Sequence, residues 1–320
     1  MKRILHIYIL TFISLIMTID VSAQAERKEM ISYGNMNTWM VREVKESGVI
    51  GGNTKYIYTL AKGDTLKDNT PYKKKDSPWA TSSVLAKVSG VTKASVTVFP
   101  ERRGNGFAAR LETRIEKVKV LGLININVLA SGTIFLGEML EPITGTSDPQ
   151  SRLITGVPFK GKPKALEFDY KVTTGGQSIR STGFGKQKTL DQRDNAQAFL
   201  LLQRRWEDSE GNIYAHRVAT GWEYFSKTVS AWQNAHRIPL WYGDISGQSY
   251  YKSYMKLIDG EEAVYARNSK GKMVPVHEVG WAKAGEEATH MILQFSSSNG
   301  GAYIGSTDSK FWVDNVTLVY

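Results

Sequence analysis

Cysteine is absent from all 320 residues. Disulfides, thiolate metal sites and a lipid held on a cysteine behind a leader are thereby excluded. Histidine is scarce at five, and His216, His236, His277 and His290 lack the ligand spacing of a zinc site. No glycine-rich phosphate loop, dinucleotide fingerprint or nucleophile elbow is present. Helical periodicity is missing as well, and no internal repeat stands out. The one long apolar run, Ile4–Met17, is shorter than the ~20 residues a membrane span needs. With Lys2 and Arg3 before it and Val21-Ser22-Ala23 after it, the run reads as a secretory leader over residues 1–23, not as an anchor. The expected mature chain, 24–320, starts near Gln24 and lies in the periplasm or outside the cell. It is expected to be monomeric and not a lipoprotein.

The formal charge is +10, and removal of Lys2, Arg3 and Asp20 takes away only one of these. Such a balance suits nucleic acid, an anionic membrane surface or an acidic polysaccharide. Export argues against nucleic acid. The basic residues are scattered apart from Lys73-Lys74-Lys75 and Arg102-Arg103, which read as a solvated loop and a turn; attraction to an anionic glycan is the sharper alternative. Glycine is plentiful at 29, with 8 Trp and 15 Tyr, a mixture that fits many turns and many rings.

Strand signals run from Tyr56 to the C-terminus. Leu166, Phe168, Tyr170 and Val172 alternate with Glu167, Asp169 and Lys171, the period of two of a half-buried antiparallel strand. Gly156, Pro158, Gly161 and Pro163 make the segment ahead of it a loop or edge. Arg103-Gly104-Asn105-Gly106 predicts a hairpin between Val96–Phe99 and Phe107–Thr113. Glu207–Asn212 predicts another between Ala196–Trp206 and Ile213–Thr220. Met291, Leu293 and Phe295 share a face. In the last strand the apolar parity moves from Phe311 and Val313 to Val316, Leu318 and Tyr320, which implies a bulge at Asp314-Asn315. Residues 173–193 read as an exposed loop and the stretch up to Ala86 as a helical turn. Residues 244–285 read as an insertion or long excursion, with too few patterned apolar positions for a core of its own. The fold class is all-β: an antiparallel β-sandwich, of jelly-roll type.

The segment Gly156–Val172, GVPFKGKPKALEFDYKV, resembles the central signature of the carbohydrate metabolism domain family, found on exported proteins of glycan-degrading Gram-negative bacteria. In order along the chain, Asn35–Trp39, Pro78-Trp79-Ala80-Thr81, Gly106–Thr113, Ala130–Gly137, Gly305-Ser306-Thr307 and Phe311–Leu318 also resemble it. The resemblance implies a galactose-binding-like jelly roll in a protein of glycan use. It carries no catalytic residues over.

Sugar binding is the first functional expectation. Pyranose rings offer apolar CH faces to aromatic rings and hydroxyls to polar tips. Trp79, Trp206, Trp222, Trp232 and Trp241 are the candidate platforms, with Trp79 and Trp222 foremost. Glycoside hydrolysis is the alternative and needs two carboxylates across the sugar. Adjacent acids occur at Glu207-Asp208, Glu261-Glu262 and Glu286-Glu287, but neighbours in a strand point apart, and all three pairs fall in turns or loops. A structural or adhesive envelope role is a third class. Jelly rolls of the sugar-binding type often hold a structural calcium on oxygen ligands; Asn37 and Asp314 are the candidates here.

Overall fold

The computed structural model describes residues 26–320 apart from 121–123, 146–148 and 184. The leader assigned to residues 1–23 lies outside the described residues. Within them the chain is built of strands and short 3-10 turns, with no α-helix.

Two main sheets organise the molecule. The first is six-stranded and runs Val229–Pro239, Ala165–Thr173, Lys310–Val319, Gly106–Glu112, Val98–Arg103, with Lys28–Met30 added beside Lys310–Val319. All its pairings are antiparallel. The second is ten-stranded. Its path is Val157–Pro158, His290–Ser296, Ala196–Glu207, Ile213–Phe225, Met273–Trp281, Tyr265–Arg267, Leu153–Thr155, Thr133–Met139, Trp79–Thr81, with Trp241–Tyr242 added beside Ile213–Phe225. The 133–139 strand also pairs with the 290–296 strand, so this sheet curls until its pairings close a ring.

The sheets stack as a β-sandwich around one large core. Leu166, Phe168, Tyr170, Val172, Phe311 and Val313 from the first sheet meet Ala198, Leu200, Leu202, Leu293 and Phe295 from the second. Phe168 sits edge-on to Phe295, with ring centroids 4.9 Å apart, a favoured aromatic geometry. The inward residues are the alternating sets read from the sequence, and both predicted hairpins form. Arg103 pairs with Gly106 across the first turn, where Gly104 takes φ +55°, and Glu207 pairs with Ile213 across the second.

Three features differ from expectation or refine it. The 165–173 strand is buried on both faces, because Glu167 and Asp169 are covered by ion pairs instead of water. Glu167 accepts from Lys28 Nζ at 2.6 Å and Arg237 Nε at 2.7 Å. Asp169 accepts from Arg103 at 2.8 Å and the Ala235 amide at 2.7 Å. Residues 84–88 form a strand, Val84–Val88, paired with Val91–Ser95, in place of a helical turn. The polar stretch 173–193 holds strands Gln177–Arg180 and Lys188–Arg193. Backbone ladders do not require apolar side chains, so composition conceals edge strands of this kind. The parity change in the last strand is a bulge as expected: the register slips between Asp169↔Asp314 and Glu167↔Thr317, with Asn315 at φ +52°.

Residues 244–285 contribute the strands Tyr265–Arg267 and Met273–Trp281 to the second sheet, and the part around Ile258 lies on the face of that sheet that points away from the sandwich core. Met273–Trp281 lies parallel to Ile213–Phe225. Ile258 packs with Phe199, Leu201 and Ile292, and Ala266 and Val276 pack with Ile213 and Ala215.

Candidate functional site

On that outward face of the curled sheet, side chains line up in rows across neighbouring strands, because residues in register share a face. One row is Phe135, Gln294, Phe199, Trp222; the next is Thr133, Ser296, Gln197, Tyr224. A cavity of about 510 Å³ lies over the first positions of these rows, a size that suits small-molecule sites. Its floor is Thr133, Phe135, Gln197, Gln294 and Ser296. The Val84–Val88/Val91–Ser95 hairpin and the Arg114–Val120/Ile124–Ala130 hairpin supply aliphatic walls through Val84, Val91, Ile126 and Val128.

The floor is polar and partly preorganised. The hydroxyls of Thr133 and Ser296 are 2.9 Å apart. Gln197 accepts a hydrogen bond from Trp222 Nε1 at 3.1 Å and donates to the Ser298 carbonyl at 3.5 Å. Gln197 therefore joins the cavity to a ring cluster in which Tyr224 stacks on Tyr254 at 3.9 Å and Tyr254 leans on Trp222 at 5.9 Å. Burial pushes the Tyr224 and Tyr254 hydroxyls above the usual tyrosine range, with Asn299 opposing the shift at Tyr224, so both rings stay neutral donors. Glu116 is the only carboxylate among the described residues lining the cavity. It is bound to Lys93 at 3.3 Å and to the Val96 amide at 3.3 Å.

The five tryptophans do not form one platform. Trp222 is half-buried beside the cavity. Trp79 is 1% exposed and donates to the Ser32 carbonyl; it offers no face to a ligand, because its ring is packed in the sandwich core beside Phe295. Trp206, 40% exposed, stacks on Tyr214 at 5.9 Å. Trp241, 36% exposed, stacks on Tyr250 at 4.1 Å. Trp232 belongs to the other sheet, where Arg103 lies 4.0 Å and Lys171 5.6 Å from its ring centre.

No family model and no curated protein matches the chain. Several solved structures match it in outline, two of them as follows. One is described as a "putative glycoside hydrolase" from Bacteroides thetaiotaomicron; it is 17% identical, the alignment covers 88% of this chain and 70% of that one, and the TM-score is 0.47. The other carries the same description and comes from Bacteroides vulgatus, at 15% identity, 88% and 85% coverage, and a TM-score of 0.41.

The residues named for calcium are already committed. Asp314 accepts from Arg103 at 2.7 Å, and the Asn37 side-chain oxygen accepts from the Phe107 amide at 2.7 Å. Burial raises the Asp314 carboxyl above its ordinary range against the pull of Arg103. A single carboxylate already paired to a guanidinium is a poor donor set for a hard dication, and no cluster of three or more His, Asp or Glu occurs among the described residues. Of the adjacent acids, four are also committed, Glu262 of them to Lys256 at 3.0 Å. Glu207 accepts from Ser269, Asp208 caps the turn at residues 210–212, and Glu286 holds His216 and Arg204. Among the described residues no helix is long and apolar enough to cross a membrane.

Sequence reasoning missed Gln197 and Gln294, the centre of the site. Their one signal is an amide inside an apolar run, in Ala196-Gln197-Ala198-Phe199 and Leu293-Gln294-Phe295.

Proposed function

We propose that this chain binds carbohydrate on the outward face of its curled sheet. The sugar lies across the two cross-strand rows, with its CH face toward the Trp222–Tyr224 end. Its hydroxyls pair with the amides of Gln197 and Gln294 and the hydroxyls of Thr133 and Ser296. The observation that carries the reading is the pair of amides and pair of hydroxyls on the cavity floor, with the Trp222 ring cluster next in the same rows and tied to the floor by the Trp222–Gln197 hydrogen bond; together they suit both surfaces of a pyranose. Hydrolysis by a carboxylate pair is disfavoured at this site, since Glu116 stands alone there and is ion-paired while the reaction needs two acids. The proposal includes export of the chain through residues 1–23 and action as a single monomeric domain, 24–320, with 244–285 as an insertion.

A glycan array followed by calorimetry on the saccharides retained tests it. Binding is expected, and Gln294→Ala is expected to weaken it about tenfold, the scale of one lost hydrogen bond. An array with no retained glycan refutes the proposal, as does binding that Gln294→Ala and Trp222→Ala leave unchanged.

A further inference from the structure

The cavity is two-sided in its chemistry, and this bears on what kind of saccharide fits. Apolar groups make up most of the lining; Thr133, Gln197, Gln294 and Ser296 put polar groups on the floor, and short hydroxyls at Ser82, Ser89, Ser95 and Ser131 are scattered among the aliphatic residues elsewhere. The walls are Val84, Val91, Val118, Ile126, Val128 and Ile143. The two charged residues of the lining are already partnered: Lys93 is held by Glu46 at 3.1 Å and by Glu116 at 3.3 Å, and Glu116 also accepts from the Val96 amide. A bare sugar carries hydroxyls around its whole edge, so filling this volume with one would turn several of them toward aliphatic wall with no partner to replace water. A group that is polar on one side and apolar on the other satisfies both surfaces. We propose, resting on the carbohydrate reading above, that the ligand is a saccharide bearing an apolar substituent of alkyl, acyl or aryl type. The sugar lies on the Gln197/Gln294 floor toward Trp222, and the substituent fills the aliphatic part of the cavity. The site thus selects amphipathic glycoconjugates over free saccharides.

The test is calorimetry on the whole protein with methyl, hexyl and octyl β-glucosides and β-galactosides, kept below micelle formation, with 1-octanol as a sugar-free control. Each methylene taken out of water adds about fourfold to affinity, so octyl should bind about fifteenfold tighter than hexyl. The octyl compound should also beat 1-octanol. In Val128→Gln the octyl-to-methyl ratio should fall; if that variant does not fold, displacement of a fluorescent apolar probe from the wild type by octyl but not methyl glycoside reads the same property. A flat chain-length series with methyl glycosides bound overturns the inference and leaves the carbohydrate reading standing. Octanol binding as tightly as octyl glycoside removes the sugar from the site and overturns both. No binding by any glycoside overturns both as well.

Discussion

Replacing Glu278 by glutamine should destabilise the protein more than any other single-atom-scale change on the curled sheet. Glu278 and Arg217 are both fully buried. The carboxylate accepts from Arg217 Nε at 2.6 Å, from Arg217 Nη2, from Gln203 Nε2 at 2.6 Å and from the Ile258 amide at 2.7 Å. In the Glu278→Gln variant one acceptor oxygen becomes an NH2 donor, which faces a guanidinium N–H in either orientation, together with Gln203 Nε2 or the Ile258 N–H. The charge on Arg217 is then left without its counter-ion, and its remaining partners are Thr220 Oγ1 at 3.1 Å and the Lys256 carbonyl at 3.4 Å. Breaking a buried pair in this way costs about 3–5 kcal/mol, a fall in Tm on the order of 6–10 °C for a chain of this size. The loss should be local at first. Ile258 anchors the segment that bears Tyr254, so limited proteolysis or hydrogen exchange should show residues 250–264 opening before the sandwich. Thermal melts of Glu278→Gln, Arg217→Met and the double variant Arg217→Met/Glu278→Gln make the check. The double should lose less than the sum of the singles, by about 0.5–3 kcal/mol. Glu278→Gln within about 1 kcal/mol of wild type, or strict additivity in the cycle, would refute this account of what fixes the cover to the sheet.

His290 is held down to about 4 by burial, with Arg205 adding to the effect. The unfolded chain therefore binds a proton there between about pH 6.5 and 4 that the folded chain does not, and stability should decline as pH falls through that window; His290→Gln should flatten the slope in melts taken across it. Gly132 sits where a Cβ would lie 2.2 Å from the Glu112 amide and 2.6 Å from the Thr97 carbonyl, so Gly132→Ala must push backbone apart. It should cost at least about 1–3 kcal/mol in urea titration, and a neutral result would sink that packing argument. Gln294→Leu should raise Tm slightly while abolishing glycan binding; a variant that melts lower, or still binds, contradicts the assignment of Gln294 to the ligand.

The sandwich was legible because its inner faces obey strict alternation: Leu166 to Val172 and Met291 to Phe295 each announce one buried side. The bulge at Asn315 was legible for the same reason, since a parity change with no turn has few other causes. The burial of Glu167 and Asp169 was not, because their partners Lys28, Arg237 and Arg103 lie between 66 and 139 residues away. The strands within 173–193 were hidden by polar composition. Among the tryptophans, composition names rings but not their sides. Trp79 and Trp222 carry equal promise in sequence, yet the sheet turns one inward and the other out. The floor of the site was the hardest part to read, because amides on the far face of a core strand interrupt no pattern that a period-two reading tracks.

The position of the site follows from where the cover stops. A curled sheet presents a second face that a two-layer sandwich leaves open, and apolar residues there must be covered or replaced. Along the 196–207 strand the outward residues pass from Leu201 to Phe199 to Gln197. On the neighbouring 290–296 strand they pass in register from Ile292 to Gln294 to Ser296. Leu201 and Ile292 lie under Ile258 of the excursion, and one row on, the amide of Gln294 already lines the cavity. The polarity gradient thus coincides with the edge of the cover. A sequence selected for stability alone would carry an apolar residue at 294, next to Phe135 and Phe199 in its row, and extend the core. An amide held there against that gain, between two rings and facing open volume, is what the proposed ligand would require for its hydrogen bonds.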